Sequence, residues 1–199
     1  MWADVETTGL EDDAGLLEVA VVVTDSGLNV CGTPVSVVLR APWAQARMNE
    51  TVRAMHTASG LLADCAEATA TLIDAQDLIM DYVSAWVAPG VSPLCGSTIF
   101  FDRRMIARNL PVLNAYLHYR HIDVSTLKEL VRRWFPPVYA ALPRNTGTAA
   151  DGGAGGAAHR ALPDILDSIA ELRFYREQVF ADALATMPAL LSTAPSNGG

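Results

Sequence analysis

Residues 1–24, MWADVETTGLEDDAGLLEVAVVVT, decide the fold because two runs of apolar and β-branched residues flank a turn that contains glycines. Such runs predict strands at residues 1–6 and 16–24. A third run of this kind predicts a strand at residues 35–39. Asp25 and Gly27 are typical of a tight turn, so the second and third strands are expected to form a hairpin.

Helical periodicity dominates from about residue 70 onward, interrupted by two short predicted strands. One helix is predicted from an apolar stripe spaced i, i+3, i+4 and i+7: Ile79, Tyr82, Val83 and Trp86. A short strand at residues 94–95 should lead into a helix that begins near Asp102, and a second should span residues 120–124.

The two helices that follow have their own start signals. Thr126 with Glu129 three residues later predicts a capping box. The apolar face of that helix is expected to comprise Leu127, Leu130, Val131 and Trp134. A long helix near the end should carry an apolar face that comprises Leu162, Ile165, Leu166 and Ile169. Because proline is tolerated only in the first helical turn, Pro163 places the start of this last helix near Leu162.

This order of elements predicts a single α/β domain at residues 1–187, built from a mixed β-sheet flanked by α-helices. Residues 143–158 are rich in glycine and alanine, which favours a flexible loop. The tail at 188–199 is expected to be disordered.

Composition restricts the functions that this domain can have. The net charge is −8, so the chain lacks the basic face with which proteins grip long nucleic acids. An enzyme whose substrate carries few phosphates remains compatible with it, particularly if metal cations supply positive charge. No apolar run is long enough for a membrane span, and no secretory signal is evident. Three cysteines without metal-site spacing indicate buried, reduced thiols in a cytoplasmic protein.

Candidate ligands for a metal begin with Asp4 and Glu6, whose two-residue spacing on a strand directs both side chains to one face. Their oxygen atoms suit Mg²⁺ or Mn²⁺. An exposed polar strand face is the simpler alternative for such a pair. Likewise, Asp102 could be only an N-cap, Asp164 only an acidic residue that favours a helix start, and His159 only a surface histidine.

Taken together, these five residues resemble the signature of the DEDDh exonucleases, and the whole chain resembles the oligoribonuclease family within that group. The stretches that carry the resemblance are DVETTGL (4–10), HTASGL (56–61), FDRRM (101–105), HYRHIDVSTLKELVRRW (118–134) and HRALPDILDSIAELRFYRE (159–177). The resemblance implies an RNase H-like fold and 3′→5′ hydrolysis of very short oligoribonucleotides to nucleoside 5′-monophosphates. It also implies two divalent metal ions, Mg²⁺ or Mn²⁺, held by Asp4, Glu6, Asp102 and Asp164, with His159 as the general base.

Further expectations about the substrate follow from the same resemblance. Leu10 would wedge against the terminal bases and His56 would lie near the 3′ end, although His56 could equally be a helix-capping histidine. Thr98 is expected to contact the substrate. Ser125 and Thr126 would cover the 5′ phosphate, whereas Asp123 is expected to be a strand-end turn residue. A partner subunit would donate Tyr119 and Arg120, so the protein is expected to be a homodimer. From its composition, it is expected to bind neither membranes nor long nucleic acids.

The chain departs from the family pattern at position 51, and two other functions are compatible with its sequence. Thr51 stands where some relatives carry a tryptophan that stacks on a base. The first rival is another DEDDh exonuclease that trims longer single strands of DNA or RNA, against which the acidic charge counts. The second is a non-catalytic module that binds short nucleotides, which would be expected to have lost at least one of the four acids.

Overall fold

The computed structural model describes residues 1–143 and 159–180. The strands are β1 (Trp2–Thr7), β2 (Leu16–Thr24), β3 (Val30–Val38), β4 (Leu94–Gly96) and β5 (His121–Asp123). The helices are α1 (Glu50–Ala58), α2 (Leu61–Glu67), α3 (Leu72–Trp86), α4 (Phe100–Asn109), α5 (Pro111–Tyr116), α6 (Val124–Trp134), α7 (Pro136–Ala140) and α8 (Ala161–Gln178), with a short 3₁₀ turn at Ala44–Arg47. The predicted loop lies outside the described residues except for Pro143, and the predicted tail lies wholly outside them.

The five strands form one mixed sheet in the order β3-β2-β1-β4-β5. Strands β1, β2 and β3 pair antiparallel, whereas β4 and β5 run parallel to β1. The acidic strand β1 therefore lies at the centre of the sheet. Its register places Glu6 directly opposite Glu18 of β2, and the pairing becomes irregular immediately after Glu6. The mixed sheet with flanking helices confirms the predicted fold class.

Helices cover both faces of the sheet because side chains alternate between the faces along each strand. On one face, Ala3 and Val5 of β1 share a core with residues of α3, α4 and α5. On the opposite face, Trp2 packs with Ala20 and Val22 of β2 and with residues of α6 and α8. Asp4 and Glu6 share the face of Trp2, so α8, which covers part of this face, also reaches the two acids. In the described part of the chain, no helix has the length and apolar character needed to cross a bilayer.

The hairpin of β2 and β3 is tighter than predicted, since β3 begins at Val30 and not at residue 35. Asp25 organises the turn: its carboxylate accepts hydrogen bonds from the backbone and the side-chain nitrogen of Asn29, at 2.8 and 2.9 Å. Strand pairing resumes at once with Thr24 opposite Val30. The polar residues around position 30 had concealed this part of the strand, which is mostly exposed.

One predicted core position is wrong, since Trp134 at the end of α6 is 66% exposed. Two residues of the predicted apolar stripes on other helices are also exposed, Trp86 of α3 at 53% and Leu166 of α8 at 44%. The start of α8 at Ala161 confirms the prediction that Pro163 lies in the first turn. The three cysteines are unpaired as predicted, although Cys31 is only partly buried.

Candidate active site

Three carboxylates from distant parts of the chain meet on the α8 face of the sheet. Asp4 and Glu6 project from β1, and Asp164 lies in the first turn of α8, which packs on β1 and β2. One ligand atom from each of the three lies within 4.8 Å of the other two. The alternative of a solvated polar strand face is therefore wrong for Asp4 and Glu6, because Glu6 is buried and both side chains face Asp164.

The fourth acid, Asp102, contacts β1 from helix α4. It lies in the first turn of α4, and its Oδ1 accepts a hydrogen bond from the backbone N–H of Val5 at 3.0 Å. The N-cap of α4 is Ile99, so the alternative of Asp102 as an N-cap is wrong. Asp102 is almost fully buried, and its charge contributes to raising the pKa of Asp4.

The pKa values of all four acids are raised. Burial, followed by repulsion from the neighbouring acids, raises the pKa of Asp4 well above its usual range and that of Glu6 to about 8. Burial likewise raises the pKa of Asp102 and Asp164 to about 7. A cation between the carboxylates would remove this repulsion, and oxygen donors of this kind suit Mg²⁺ or Mn²⁺. The residues present therefore fit a divalent metal site.

The two histidines of the predicted site lie near each other. His159 lies two residues before the start of α8 and is partly buried. The pKa of His56 is lowered, mainly by burial and in addition by the charge of His159, whereas its hydrogen bond to Thr7 acts in the opposite direction. His159 is thus close enough for its charge to affect His56, whose Nε2 lies 4.0 Å from Oε2 of Glu6.

His56 is fully buried, and its ring contacts the end of β1. Its Nε2 lies 2.9 Å from the backbone oxygen of Thr7 and 4.0 Å from Oε2 of Glu6. Because a carbonyl oxygen only accepts, Nε2 carries the hydrogen and Nδ1 is left as an acceptor. Nδ1 has no hydrogen-bond partner among the described residues. The helix-capping alternative for His56 is therefore wrong.

A cavity of about 550 Å³ opens over the acids. Asp4, Glu6 and Asp102 lie on one side of it, and Leu10, which is 75% exposed, projects from the loop after β1. The apolar residues that line it are Val5, Leu10, Val52, Met55, Phe100 and Phe101. The cavity thus combines acids, which could hold a metal ion for a phosphate, with aromatic and aliphatic walls that suit a base.

Thr98, Ser125 and Thr126 form a second polar group around Asp123. The backbone N–H of Thr98 donates to Oδ1 of Asp123 at 2.9 Å and to Oγ of Ser125 at 2.5 Å. Thr98 has a φ of 55°, a left-handed conformation that is rare for a β-branched residue. A cavity of about 400 Å³ adjoins these four residues together with Glu129, Leu130 and Arg133. The structure thus brings together three of the predicted substrate contacts.

The predicted capping box is wrong because Asp123 caps α6. Its Oδ1 accepts from the backbone N–H of Ser125 at 3.1 Å, and its Oδ2 accepts from the Thr126 hydroxyl at 3.0 Å. Glu129 instead pairs with Arg132 at 3.0 Å and with Arg133. The prediction that Asp123 is a turn residue at the end of a strand is in accord with this arrangement.

Tyr119 and Arg120 lie apart from the acids and line neither cavity. Tyr119 is 73% exposed and stacks on His118 with 4.4 Å between ring centroids. The guanidinium group of Arg120 lies 5.5 Å from the centre of the Tyr119 ring. Both side chains are exposed and directly precede β5.

Sequence reasoning missed Glu18 and Arg160. Glu18 is buried on the same face as Glu6 and binds Arg160, which directly follows His159. One signal for it was available: Glu18 is the only charged residue in the strand LLEVAVVVT, where a buried carboxylate requires a partner.

Known proteins resemble this chain in both sequence and fold. Residues 1–172 match the exonuclease family RNase_T. An oligoribonuclease of Streptomyces avermitilis is 49% identical over 90% of this chain and 86% of its own length. An oligoribonuclease of Streptomyces griseus is 50% identical over the same shares of the two chains.

A solved structure extends the likeness to the fold. It is the zinc-bound form of an E. coli exonuclease I complex with single-stranded DNA, with a TM-score of 0.61 and 18% identity. The match covers 98% of this chain but only 44% of that one, so this chain spans less than half of exonuclease I. With its four acids brought together and its close sequence relatives, the chain belongs to the RNase_T exonucleases and, within them, to the oligoribonuclease family.

Proposed function

We propose that this exonuclease hydrolyses very short oligoribonucleotides, dinucleotides above all, from the 3′ end and releases nucleoside 5′-monophosphates. The observation that carries the proposal is the convergence of Asp4, Glu6 and Asp164 within 4.8 Å beside a cavity with apolar walls. The printed name of its Streptomyces relatives, oligoribonuclease, supports the same substrate class.

Three of the acids form one cluster, and the fourth, Asp102, contacts β1 from α4. Asp4, Glu6 and Asp164 would hold one Mg²⁺ or Mn²⁺ ion, and Asp4 with Asp102 would hold a second. When bound, such ions activate water and stabilise the charge that develops on the phosphate oxygens. Without the ions the acids repel one another, so the folded chain prepares a strongly attractive site for cations.

His159 acts as the general base of the reaction. It accepts a proton from the attacking water, whose oxygen forms the new bond to phosphorus while the bond to the 3′ oxygen of the preceding nucleotide breaks. An imidazole suits this task because it titrates near neutral pH. His56 lies beside it with a bare, buried Nδ1, which can accept a hydrogen bond from the sugar at the 3′ end.

The ends of the substrate are bound by separate groups. Leu10 packs against the bases from the rim of the cavity, where its side chain is exposed. Thr98, Ser125 and Thr126 bind the 5′ phosphate in the second cavity. A strand that continued past this phosphate would meet the start of α6, and this limits the length of the substrate.

The site is completed by a second copy of the chain. Tyr119 and Arg120 are exposed and line neither cavity of their own chain, and we expect them to contact the 5′ end in a partner's site. Exposed apolar side chains lie at the β5 edge and at the end of α6: Ile122 is 39%, Trp134 66% and Phe135 43% exposed. Burying this surface in a two-fold contact would explain why Trp134, predicted to be buried, is exposed in the single chain. The three unpaired cysteines favour a cytoplasmic location.

The direct test compares a 5′-labelled dinucleotide with a twenty-nucleotide RNA, each incubated with Mg²⁺ or Mn²⁺ at fixed salt. We expect kcat/KM to be much higher for the dinucleotide. The dependence on salt should be shallow, because each phosphate contact on a long single strand adds roughly −0.7 to the log–log slope. Equal efficiency on both substrates would favour the rival exonuclease of longer strands, and the absence of metal-dependent turnover would favour a binding module.

A further inference from the structure

The residue after the proposed base is held by a network of charges that reaches three elements. The guanidinium group of Arg160 donates from Nε to Oε2 of Glu18 at 2.9 Å and from Nη2 to Oε1 at 3.3 Å. Its third nitrogen, Nη1, donates to Oδ2 of Asp64 on α2 at 2.8 Å. Two contacts to one carboxylate fix the plane of the guanidinium group as well as its distance.

Glu18 is saturated by these and two further contacts. Its carboxylate accepts from the hydroxyl of Ser36 at 2.9 Å and from the backbone N–H of Ala161 at 3.3 Å. Its side chain is only 3% exposed, and Arg160 is the positively charged partner of this buried carboxylate. Glu18 lies opposite Glu6 in the sheet, yet it stays outside the group of three acids that could hold a metal ion.

This arrangement determines where His159 lies. The chain enters α8 through His159, Arg160 and Ala161, and the backbone of Arg160 is extended, with φ −140° and ψ 132°. The N-cap residue Arg160 makes no capping hydrogen bond with its own side chain. Instead, Glu18 binds both the side chain of Arg160 and the N–H of Ala161, so the two residues after His159 are fastened to β2.

We infer that Glu18 and Arg160 are positioning residues, whose ion pair fixes the backbone that presents His159 to the attacking water. Neither touches the reacting atoms. Displacing a catalytic group by about 1 Å can lower a rate about 10²-fold, so the pair should affect kcat although it lies outside the reaction centre. The kinetic part of this inference rests on the proposed role of His159 as the base.

The first experiment measures kinetics with Arg160→Gln, which removes the charge and keeps much of the side chain. We expect kcat on a dinucleotide to fall about 10²-fold at saturating Mn²⁺, with KM unchanged. Arg160→Lys should recover part of the rate. In a His159→Ala background the same change should cause no further loss, because no base remains to be positioned. An equal loss in both backgrounds would overturn the inference.

The second experiment separates positioning from stability. Removing Arg160 alone leaves Glu18 as a buried, unpaired charge, which lowers the thermal midpoint. The double variant Glu18→Gln/Arg160→Gln removes both charges, so the midpoint should recover while kcat stays low. Recovery of kcat together with stability would mean that the pair has only a structural role. Arg176→Gln is the matched control, since Arg176 lies on the same helix and donates to the backbone oxygen of Gly27 at 2.9 Å, far along the helix from His159.

The third experiment is independent of catalysis. The ring signals of His159 are followed by NMR in the metal-free protein, in Arg160→Gln and in Arg176→Gln. We expect one sharp set of signals in the parent and the control, and broadened or multiple signals in Arg160→Gln. Unchanged signals would refute the positioning role. If His159→Ala keeps full turnover, the proposed base role fails, and these signals still decide the inference by themselves.

Discussion

The carboxylate of Asp102 accepts a hydrogen bond from the backbone N–H of Val5, the residue between Asp4 and Glu6 on the central strand. A single contact of 3.0 Å thus fastens α4 to the segment that carries two of the acids. Asp102 therefore has two separable properties: its charge, for which we propose a role in metal binding, and its acceptor oxygen, which holds α4 to β1.

Replacing Asp102 by asparagine should separate these two properties. Asp102→Asn keeps an acceptor for Val5 and removes the charge, so turnover should be lost while the metal-free protein remains at least as stable as the parent. Asp102→Ala also removes the acceptor, and an unsatisfied buried N–H costs about 1–3 kcal/mol. Denaturant unfolding in EDTA gives the two stabilities. Asp102→Ala proving as stable as Asp102→Asn would contradict this account of the Val5 contact.

The stability of the metal-free protein should fall as the pH rises from about 5 to 8. The folded state raises the pKa of Glu6 to about 8 and that of Asp102 and Asp164 to about 7. Across this range the folded state therefore holds protons that the unfolded state has already lost. Linkage then makes the unfolding free energy decrease with pH, by up to about 1.4 kcal/mol per pH unit for each such group.

Thermal unfolding in EDTA across this pH range measures the effect, and Mg²⁺ or Mn²⁺ should reverse it most strongly at pH 8, where the acids are ionised. The variant Glu6→Gln serves as the control because it removes one of the titrating groups, so its pH dependence should be flatter. A metal-free midpoint that rises from pH 5 to pH 8 would show that the carboxylates do not repel one another in the folded state.

His159→Ala should lower the rate without weakening metal binding. General base catalysis typically contributes about 10²–10⁴-fold, and we expect a loss of kcat in that range. Mn²⁺ affinity, measured by titration calorimetry, should stay at the parental value because the four acids are intact. Loss of Mn²⁺ binding would mean that His159 is a ligand and not the base.

Two inactive chains should restore activity to each other if the partner completes each site. Asp102→Asn removes an acid, and Tyr119→Ala removes the side chain proposed to be donated. When equal amounts of the two chains are refolded together, half of the dimers are mixed, and one site in each mixed dimer is intact. Activity should therefore reach about a quarter of the parental value. Each variant is refolded alone as the control, and the absence of rescue in a mixture shown to exchange subunits would refute the shared site.

The sheet and the acids were predictable because their signals are local. The apolar run at Leu16–Thr24 predicted β2 with its observed bounds, and the two-residue spacing of Asp4 and Glu6 predicted that they share a face. The resemblance added Asp102 and Asp164, whose approach to β1 from 97 and 160 residues away leaves no periodic pattern in the sequence. The assignment of roles to His159 and to the substrate contacts stays a prediction.

Other features depend on contacts that periodicity cannot reveal. Trp134 lies on the apolar stripe of α6, but a stripe does not tell whether another element covers its last turn. Thr126 and Glu129 have the spacing of a capping box, but Asp123 is the N-cap of α6. The carboxylate of Asp123 also accepts the hydrogen bond of the Thr126 hydroxyl. The ring of His56 finds Thr7, 49 residues earlier in the chain, and not its own helix.

The arrangement of β1 and α8 also dictates the order in which the site can form during synthesis. Strands β1, β2 and β3 pair through short connections and leave the ribosome before α8. Asp164 arrives with α8, more than a hundred residues after these strands. A nascent chain can thus possess these strands and two of the acids long before it has the complete cluster, and the proposed role of Asp164 implies that it gains activity only when α8 has docked.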